Sequence, residues 1–419
     1  MKGQVFILFA INFRAFLSSP LTCEFEEYEL CLIKNQEVSA TEPFEIYRSN
    51  GVPFTDIILI VKDLPTLPTT IFTNNPNATF FSLQSDNLNQ ISFKVFANAR
   101  KLMKLYISYG QLKRIVNGTF RNCENLEDLE ILNHQISFIG ANAFKGLSNL
   151  KVLSLADNLI GNLHPRLFEP LPNLALLMLD SNRLQRLDAR TFQWNLKLIQ
   201  VEMNSNDLTN LPPDLFSQNR NLTSLYLNGN KLESSSTFGV AEVFLSSNQL
   251  RSIQIASGLV KLIVENNFIE TIDCTDADLS TVETVMASNN SISSYDCIRD
   301  MANIDLLELQ FNKLLRPAPD IFTTLTNLTI LRTHGQSRYS KVAAKIFAPL
   351  KSLQSLSVDR LLEYRNLRQL FPEMYMISVV TNSWNCTYTQ QVVNTLKRQS
   401  IRMNYVRPSD RTICNIVQN

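Results

Sequence analysis

The sequence predicts an α/β solenoid: a stack of short repeats whose strands form one parallel β-sheet on a concave face. Two observations carry this expectation. An apolar motif with a fixed internal pattern recurs down the chain, and a phenylalanine recurs in phase with it. A third observation, cysteine pairs near both ends, predicts stapled caps.

The motif is L-x-x-L-x-L-x-x-N-x-L. One frame reads Leu150, Leu153, Leu155, Asn158, Ile160; the next reads Leu174, Leu177, Leu179, Asn182, Leu184. Frames follow from Leu198, Leu222, Val240, Leu259, Val282 and Ile304, with Asn206, Asn230, Asn248, Asn267, Asn290 and Asn312 at the same offset. Looser copies begin at Phe54, Ala78, Leu102, Leu126, Leu328, Leu353 and Met374. The first eight frames are evenly spaced, one start lying 24 residues after another, as at Leu150 and Leu174. Phe72, Phe96, Phe120, Phe144, Phe168, Phe192, Phe216 and Phe322 each sit at one fixed offset from their frame starts. Two features that keep phase over hundreds of residues leave no room for chance leucine richness, and the pattern is that of a leucine-rich-repeat horseshoe.

The spacing dictates the local structure. L-x-L alternates with period two, so it is a short strand with its leucines inward. One repeat cannot bury its apolar face alone, so neighbours must stack. The asparagine amide is expected to satisfy backbone groups in the turn that leaves the strand, and the phenylalanine to fill the core beneath the convex side. The short repeats at Leu222 and Val240 have less convex chain, so curvature is expected to be irregular there.

Residues 1–20 read as a signal peptide: Lys2 opens it, Val5 to Ala10 is apolar, and small residues follow at Ser18 and Ser19. A buried N-terminal helix is the alternative reading. Residues 21–53 form an N-terminal cap, 54–373 the repeats and 374–419 a C-terminal cap. Within the last, Asn382-Ser383-Trp384-Asn385-Cys386 closes the array in phase, and Thr389 to Ser400 reads as an amphipathic helix with Val392, Val393 and Leu396 inward. Cys23 pairs with Cys31 and Cys386 with Cys414, each stapling an end that would otherwise expose core. Cys274 and Cys297 hold equal offsets in adjacent repeats, which stacks them about 5 Å apart, within disulfide reach. Cys123 occupies a slot that other repeats give to leucine. It is either a buried thiol or an intermolecular bridge.

Composition narrows the function. The net charge is +1 with 18% charged residues, and no Lys/Arg run tracks phosphates, so nucleic acid is not an expected partner. Three histidines, no H-E-x-x-H and no P-loop leave no catalytic or metal constellation, so neither an enzyme nor a cofactor is expected. His164 reads as a surface residue and Glu127/Asp128 as solvated. No later apolar run could span a bilayer. Sequons at Asn77, Asn117, Asn221, Asn289, Asn327 and Asn385 agree with export.

The residue between the two strand leucines points out of the concave face. Down the array this slot holds Ile58, Ser82, Tyr106, Glu130, Ser154, Met178, Glu202, Tyr226, Phe244, Ile263, Met286, Glu308, Arg332 and Ser357. Tyr226, Phe244, Ile263 and Met286 are consecutive and predict an apolar stripe with Glu242, Lys261 and Glu265 as a polar rim. Such patches mark interaction sites. The bland alternatives are that neighbouring chain covers the stripe or that glycan on Asn289 shields it.

The whole organisation resembles the leucine-rich-repeat immune proteins of mosquitoes, of a short type without a coiled coil. The matching features are Cys23…Cys31, the phenylalanine-bearing repeats, the shift to shorter repeats midway, Cys274/Cys297 and Asn382-x-Trp384-x-Cys386. The resemblance implies a secreted haemolymph protein of innate immunity that recognises a pathogen surface or an immune effector. It implies a protein partner: a thioester-containing complement-like protein or another leucine-rich-repeat protein. Long members of that group dimerise through C-terminal coiled coils. This sequence has no heptad region before Asn419, so no coiled-coil dimerisation region is expected. A secreted matrix or developmental adhesion protein, or a receptor ectodomain, is the alternative.

Overall fold

A computed structural model of the chain describes residues 30–34, 55–62, 64–315, 317, 320–336, 342–359, 361, 364–380 and 386–406. Its main element is a 17-stranded sheet, and every recorded pairing is parallel. The predicted frames each supply one strand, from Asp56–Ile60 to Met376–Val380, in sequence order. The flanking regions add one strand each: Leu30–Lys34 pairs with Asp56–Ile60, and Arg402–Val406 pairs with Met376–Val380. Strands such as Asp56–Ile60 and Asp128–Leu132 alternate half-exposed and buried positions. That alternation is the physical content of L-x-L.

The asparagines act as expected. Asn206 is buried, and its Nδ2 donates to the carbonyls of Leu179 at 2.9 Å, Met203 at 3.2 Å and Asn204 at 3.2 Å, while its Oδ1 accepts the Leu184 N–H at 2.9 Å. Leu179 and Leu184 belong to the preceding repeat, so each amide ties two repeats together. Gln336 takes over the slot near the C-terminal end, donating to Leu309 O at 2.7 Å and accepting Leu314 N–H at 3.1 Å. The residue just before this slot has a left-handed backbone from Tyr109 (φ 63) to Gly335 (φ 74) in successive repeats. Asn, Asp, Ser or Gly fills it in most repeats, the types that visit this region at least cost. Tyr109 and Phe311 hold it without that advantage.

At one repeat the slot carries His134, and the position before it in the stack is Gly110. A Cβ on Gly110 would lie 2.5 Å from His134 Cε1, so only glycine leaves room for the ring. His134 is buried, and Nδ1 accepts the Leu112 N–H at 3.4 Å. Burial holds its pKa down at about 4 against an ordinary 6.5.

The phenylalanines form a buried spine on the convex side. Centroid separations from Phe72 through Phe96, Phe120, Phe144, Phe168 and Phe192 to Phe216 run between 5.3 and 6.5 Å. Phe238 caps this run edge-on, and a second run joins Tyr295, Phe322 and Phe347. The gap between the runs coincides with the short repeats. There the convex side is a three-stranded parallel sheet of Ser234–Ser236, Ser252–Gln254 and Thr271–Asp273. The Cys274–Cys297 disulfide, with Cα atoms 6.0 Å apart, follows immediately.

Cys123 is fully buried and free, and burial pushes its thiol up to about 12. The intermolecular-bridge reading is thereby overturned: the sulfur has no path to a second chain. The C-terminal helix spans Cys386–Lys397, three residues earlier than the spacing suggested, with Val392, Val393 and Leu396 buried. His164 is exposed, as expected. Glu127 is solvated as expected, in an exposed ion pair with Lys151 at 2.8 Å, whereas Asp128 needs correction: it is half-buried and accepts the Tyr106 phenol at 2.6 Å. The signal-peptide segment, Asn382, Trp384, Cys23, Cys414 and the side chains of Cys31 and Cys386 lie outside the described residues.

Two outcomes follow. The disulfide closes a span of 23 residues, so a Cys274→Ser/Cys297→Ser variant should lose about 3 kcal/mol by chain-entropy arithmetic. Denaturant midpoints equal to wild type would refute a stapling role. His134 binds a proton in the unfolded chain but not in the folded one between about pH 4 and 6.5. Stability should therefore fall as pH drops through that window, by up to about 3 kcal/mol. A His134→Asn variant should melt with a visibly shallower pH slope over the same range.

Candidate functional site

The sheet register brings the predicted stripe together. Tyr226 pairs with Phe244, Phe244 with Ile263, and Ile263 with Met286. Adjacent strands lie about 4.8 Å apart, so the four side chains span roughly 15 Å of the concave face. Each is half-buried, so neighbouring chain does not cover the stripe. The Tyr226 and Phe244 rings stack with centroids 4.3 Å and planes 9° apart. Lys261 Nζ lies over the Phe244 ring, 5.2 Å from its centroid.

Carboxylates frame the stripe. Glu202 pairs in register with Tyr226, and Glu242 flanks the same ring. Burial, then Glu242 and Glu202, raise the Tyr226 phenol above its ordinary value. Burial is also the leading cause of the raised Glu202 pKa, with Asp180 adding to it. Ser288 donates to Glu265. Glu308 is buried beneath the Arg332 guanidinium and accepts from Gln310 at 2.9 Å.

Two apolar extensions of the face escaped the slot reading. Leu306 and Ile330 pair with each other one column over from Met286, and both are half-buried. Val152 and Leu176 pair in register beside the slot residue Met178, and the three form a second half-buried patch nearer the N-terminal end. Only the residue between the two strand leucines was read outward. The position before the first of them also faces the concave side, and period two carries that signal.

Asn77, Asn117, Asn221, Asn289 and Asn327 are exposed, and none lies on the outward-facing strand positions. Asn289 stands in the turn after Met286 and beside the stripe, with Nδ2 donating to Asn266 Oδ1 at 2.8 Å. Asn221 donates to Leu196 O at 2.9 Å on the opposite flank. Asn385 lies outside the described residues.

Among the described residues no group of His, Cys, Asp and Glu could hold a metal, and no helix is long and apolar enough to cross a membrane. A polar hollow of about 480 Å³ lies on the far side of the asparagine turn, lined by Arg186, Asp207, Asn210 and Lys231 among others. It lies away from the stripe.

This parallel sheet, asparagine ladder and phenylalanine spine define a leucine-rich-repeat solenoid. The leucine rich repeat family profile matches residues 124–184 and 172–232. No curated protein sequence matches significantly. Among solved structures, the chain is similar to TLR13 in the TLR13–ssRNA13 complex at 22% identity and a TM-score of 0.70, over 86% of this chain and 54% of that one. It therefore spans about half of the TLR13 chain. It is also similar to the mosquito APL1 leucine-rich-repeat domain at 16% identity and a TM-score of 0.60, over 94% of this chain and 96% of that one. The LRIM1/APL1C complex, also from mosquito, matches at 14% identity and a TM-score of 0.53, over 91% of this chain and 67% of that one. Likeness at these identities is likeness of fold.

The environment of Tyr226 is testable. A Glu242→Gln variant removes one of two carboxylate fields, so Tyr226 should titrate closer to its ordinary value of about 10. Ultraviolet difference titration, with Tyr226→Phe as reference, reads this directly; an unmoved curve would show that burial alone sets the shift.

Proposed function

We propose that this chain is a secreted leucine-rich-repeat binding protein of innate immunity that takes a protein partner on its concave face. The stripe of Tyr226, Phe244, Ile263 and Met286 carries the reading: four half-exposed apolar side chains, adjacent in register, on a face that holds none of the sequon asparagines among the described residues. Half-buried aromatics and methionine are the residue types that supply binding energy at protein interfaces. Asp180, Glu202, Glu242 and Glu265 lie on the same face, and a polyanion would meet their repulsion. A protein is therefore favoured over a nucleic acid.

Several considerations support the immune assignment. The Cys23…Cys31 spacing, the midway shift to short repeats and Cys274/Cys297 match the mosquito immune group, and the fold is shared with APL1 and LRIM1 over most of this chain. LRIM1 and APL1C form a complex of two such chains, so a second leucine-rich-repeat protein is the first partner to test. A thioester-containing complement-like protein is the next, and a pathogen surface the third. Export rests on the signal-like N-terminus and the sequons, and the caps at residues 21–53 and 374–419 on the Cys23–Cys31 and Cys386–Cys414 pairings.

The test is affinity purification from the native body fluid with the full chain and with a Tyr226→Asp/Phe244→Asp variant. Wild type should recover a defined protein that the variant loses, with the variant's melting curve confirming that it folds. Identical recovery by both would remove the stripe from the binding function.

A further inference from the structure

One end of the stripe has a chemistry of its own. Tyr226 and Phe244 stack face to face, and the neighbouring strand places the Lys261 ammonium over Phe244. One end of the aromatic pair thus already holds a cation. The other end is the outward face of Tyr226, which looks along the sheet towards the strand Gln200–Glu202. There it meets Glu202, and one strand further lies Asp180, at the next outward position beyond Met178. Tyr reaches further from the sheet than Glu, so the phenol ring rises as a wall beside the carboxylates.

These carboxylates have no cation of their own. Among the described residues, no Lys or Arg forms an ion pair with Asp180, Glu202, Glu242 or Glu265. Lys261 stands opposite Glu242 in register, yet its ammonium is drawn over the Phe244 ring instead. Glu202 is held by the neutral amide of Gln200. Its neighbour Asp180 accepts the Asn204 N–H at 2.7 Å. Farther along, the same face shows what a satisfied acid looks like, with Glu308 under the Arg332 guanidinium.

We propose that the step formed by the Tyr226 ring and the Glu202 and Asp180 carboxylates receives a cationic side chain of the protein partner, while adjacent apolar side chains of that partner lie on Phe244, Ile263 and Met286. A guanidinium suits the step better than an ammonium. It is planar, stacks on an aromatic face and offers paired N–H donors to a carboxylate. The partner segment is thus an arginine next to aliphatic or aromatic residues. This inference rests on the stripe being the binding face and adds the charge and order of what binds it.

The test uses the full chain as bait for a phage-displayed random peptide library, with binding of the selected peptides measured by fluorescence anisotropy. Selected peptides should carry Arg beside apolar residues. Their affinity should drop at least tenfold on Glu202→Gln, a near-isosteric change, and stay unchanged on Glu233→Gln, an exposed carboxylate elsewhere on the solenoid. Binding should also weaken steeply with added salt. Peptides that lose binding to Tyr226→Asp/Phe244→Asp but carry no cation, or that ignore Glu202→Gln, would overturn the cation step and leave the stripe standing. Failure to select any peptide that responds to Tyr226→Asp/Phe244→Asp would overturn both.

Discussion

The buried amide ladder on the exit side of the sheet is the interaction on which the rest of the solenoid depends. After each strand the backbone must turn through a left-handed residue, and its carbonyls there lose any sheet partner. An unsatisfied buried group of this kind costs about 1–3 kcal/mol. Asn206 resolves this for its own repeat and the preceding one, through three donated bonds and one accepted bond. The bonds reach across repeats, so the ladder also sets the stacking register. That register is what places Tyr226, Phe244, Ile263 and Met286 side by side. The ladder tolerates Gln336 because a longer amide still offers a donor and an acceptor. It tolerates His134 only beside Gly110, and with an imidazole kept neutral.

The middle of the array is built differently from its ends, and the binding stripe falls there. Regular repeats wedge their convex sides apart with stacked phenylalanines. The phenylalanine run ends at Phe238 in the Leu222 repeat; the repeats starting at Val240 and Leu259 add none to it, and three short strands join these three repeats on the convex side, with the disulfide following. Parallel strands on both sides make this a rigid segment with short connections. Rigid presentation suits a binding face, because fewer side chains must be ordered when a partner arrives.

The fold was legible in the sequence because repetition amplifies weak signals. Leu153 alone says little; Leu153, Leu177, Val201 and Leu225 in phase say strand, face and neighbour together. The Cys274–Cys297 pairing and the stripe follow from the same phase counting. The three-stranded convex sheet was not legible. Ser234-Ser235-Ser236 carries no strand propensity or apolar alternation, and it is a strand because its neighbours in the stack supply the hydrogen-bond partners. The half-buried state of Asp128 has a related cause, since it depends on Tyr106 in the adjacent repeat.

The sequence by itself determined the repeat, the direction of every strand, the inward leucines and the slot of each outward residue, because these follow from spacing along one chain. Only the tertiary structure decided how the outward residues meet. It stacked Tyr226 on Phe244, put Lys261 over the ring rather than on Glu242, buried Glu308 under Arg332 and left Glu202 beside Asp180 without a cation. Periodicity says which side chains are neighbours. Which of them pair, and which remain available to a partner, depends on side-chain reach and on competition for the same charge across adjacent strands.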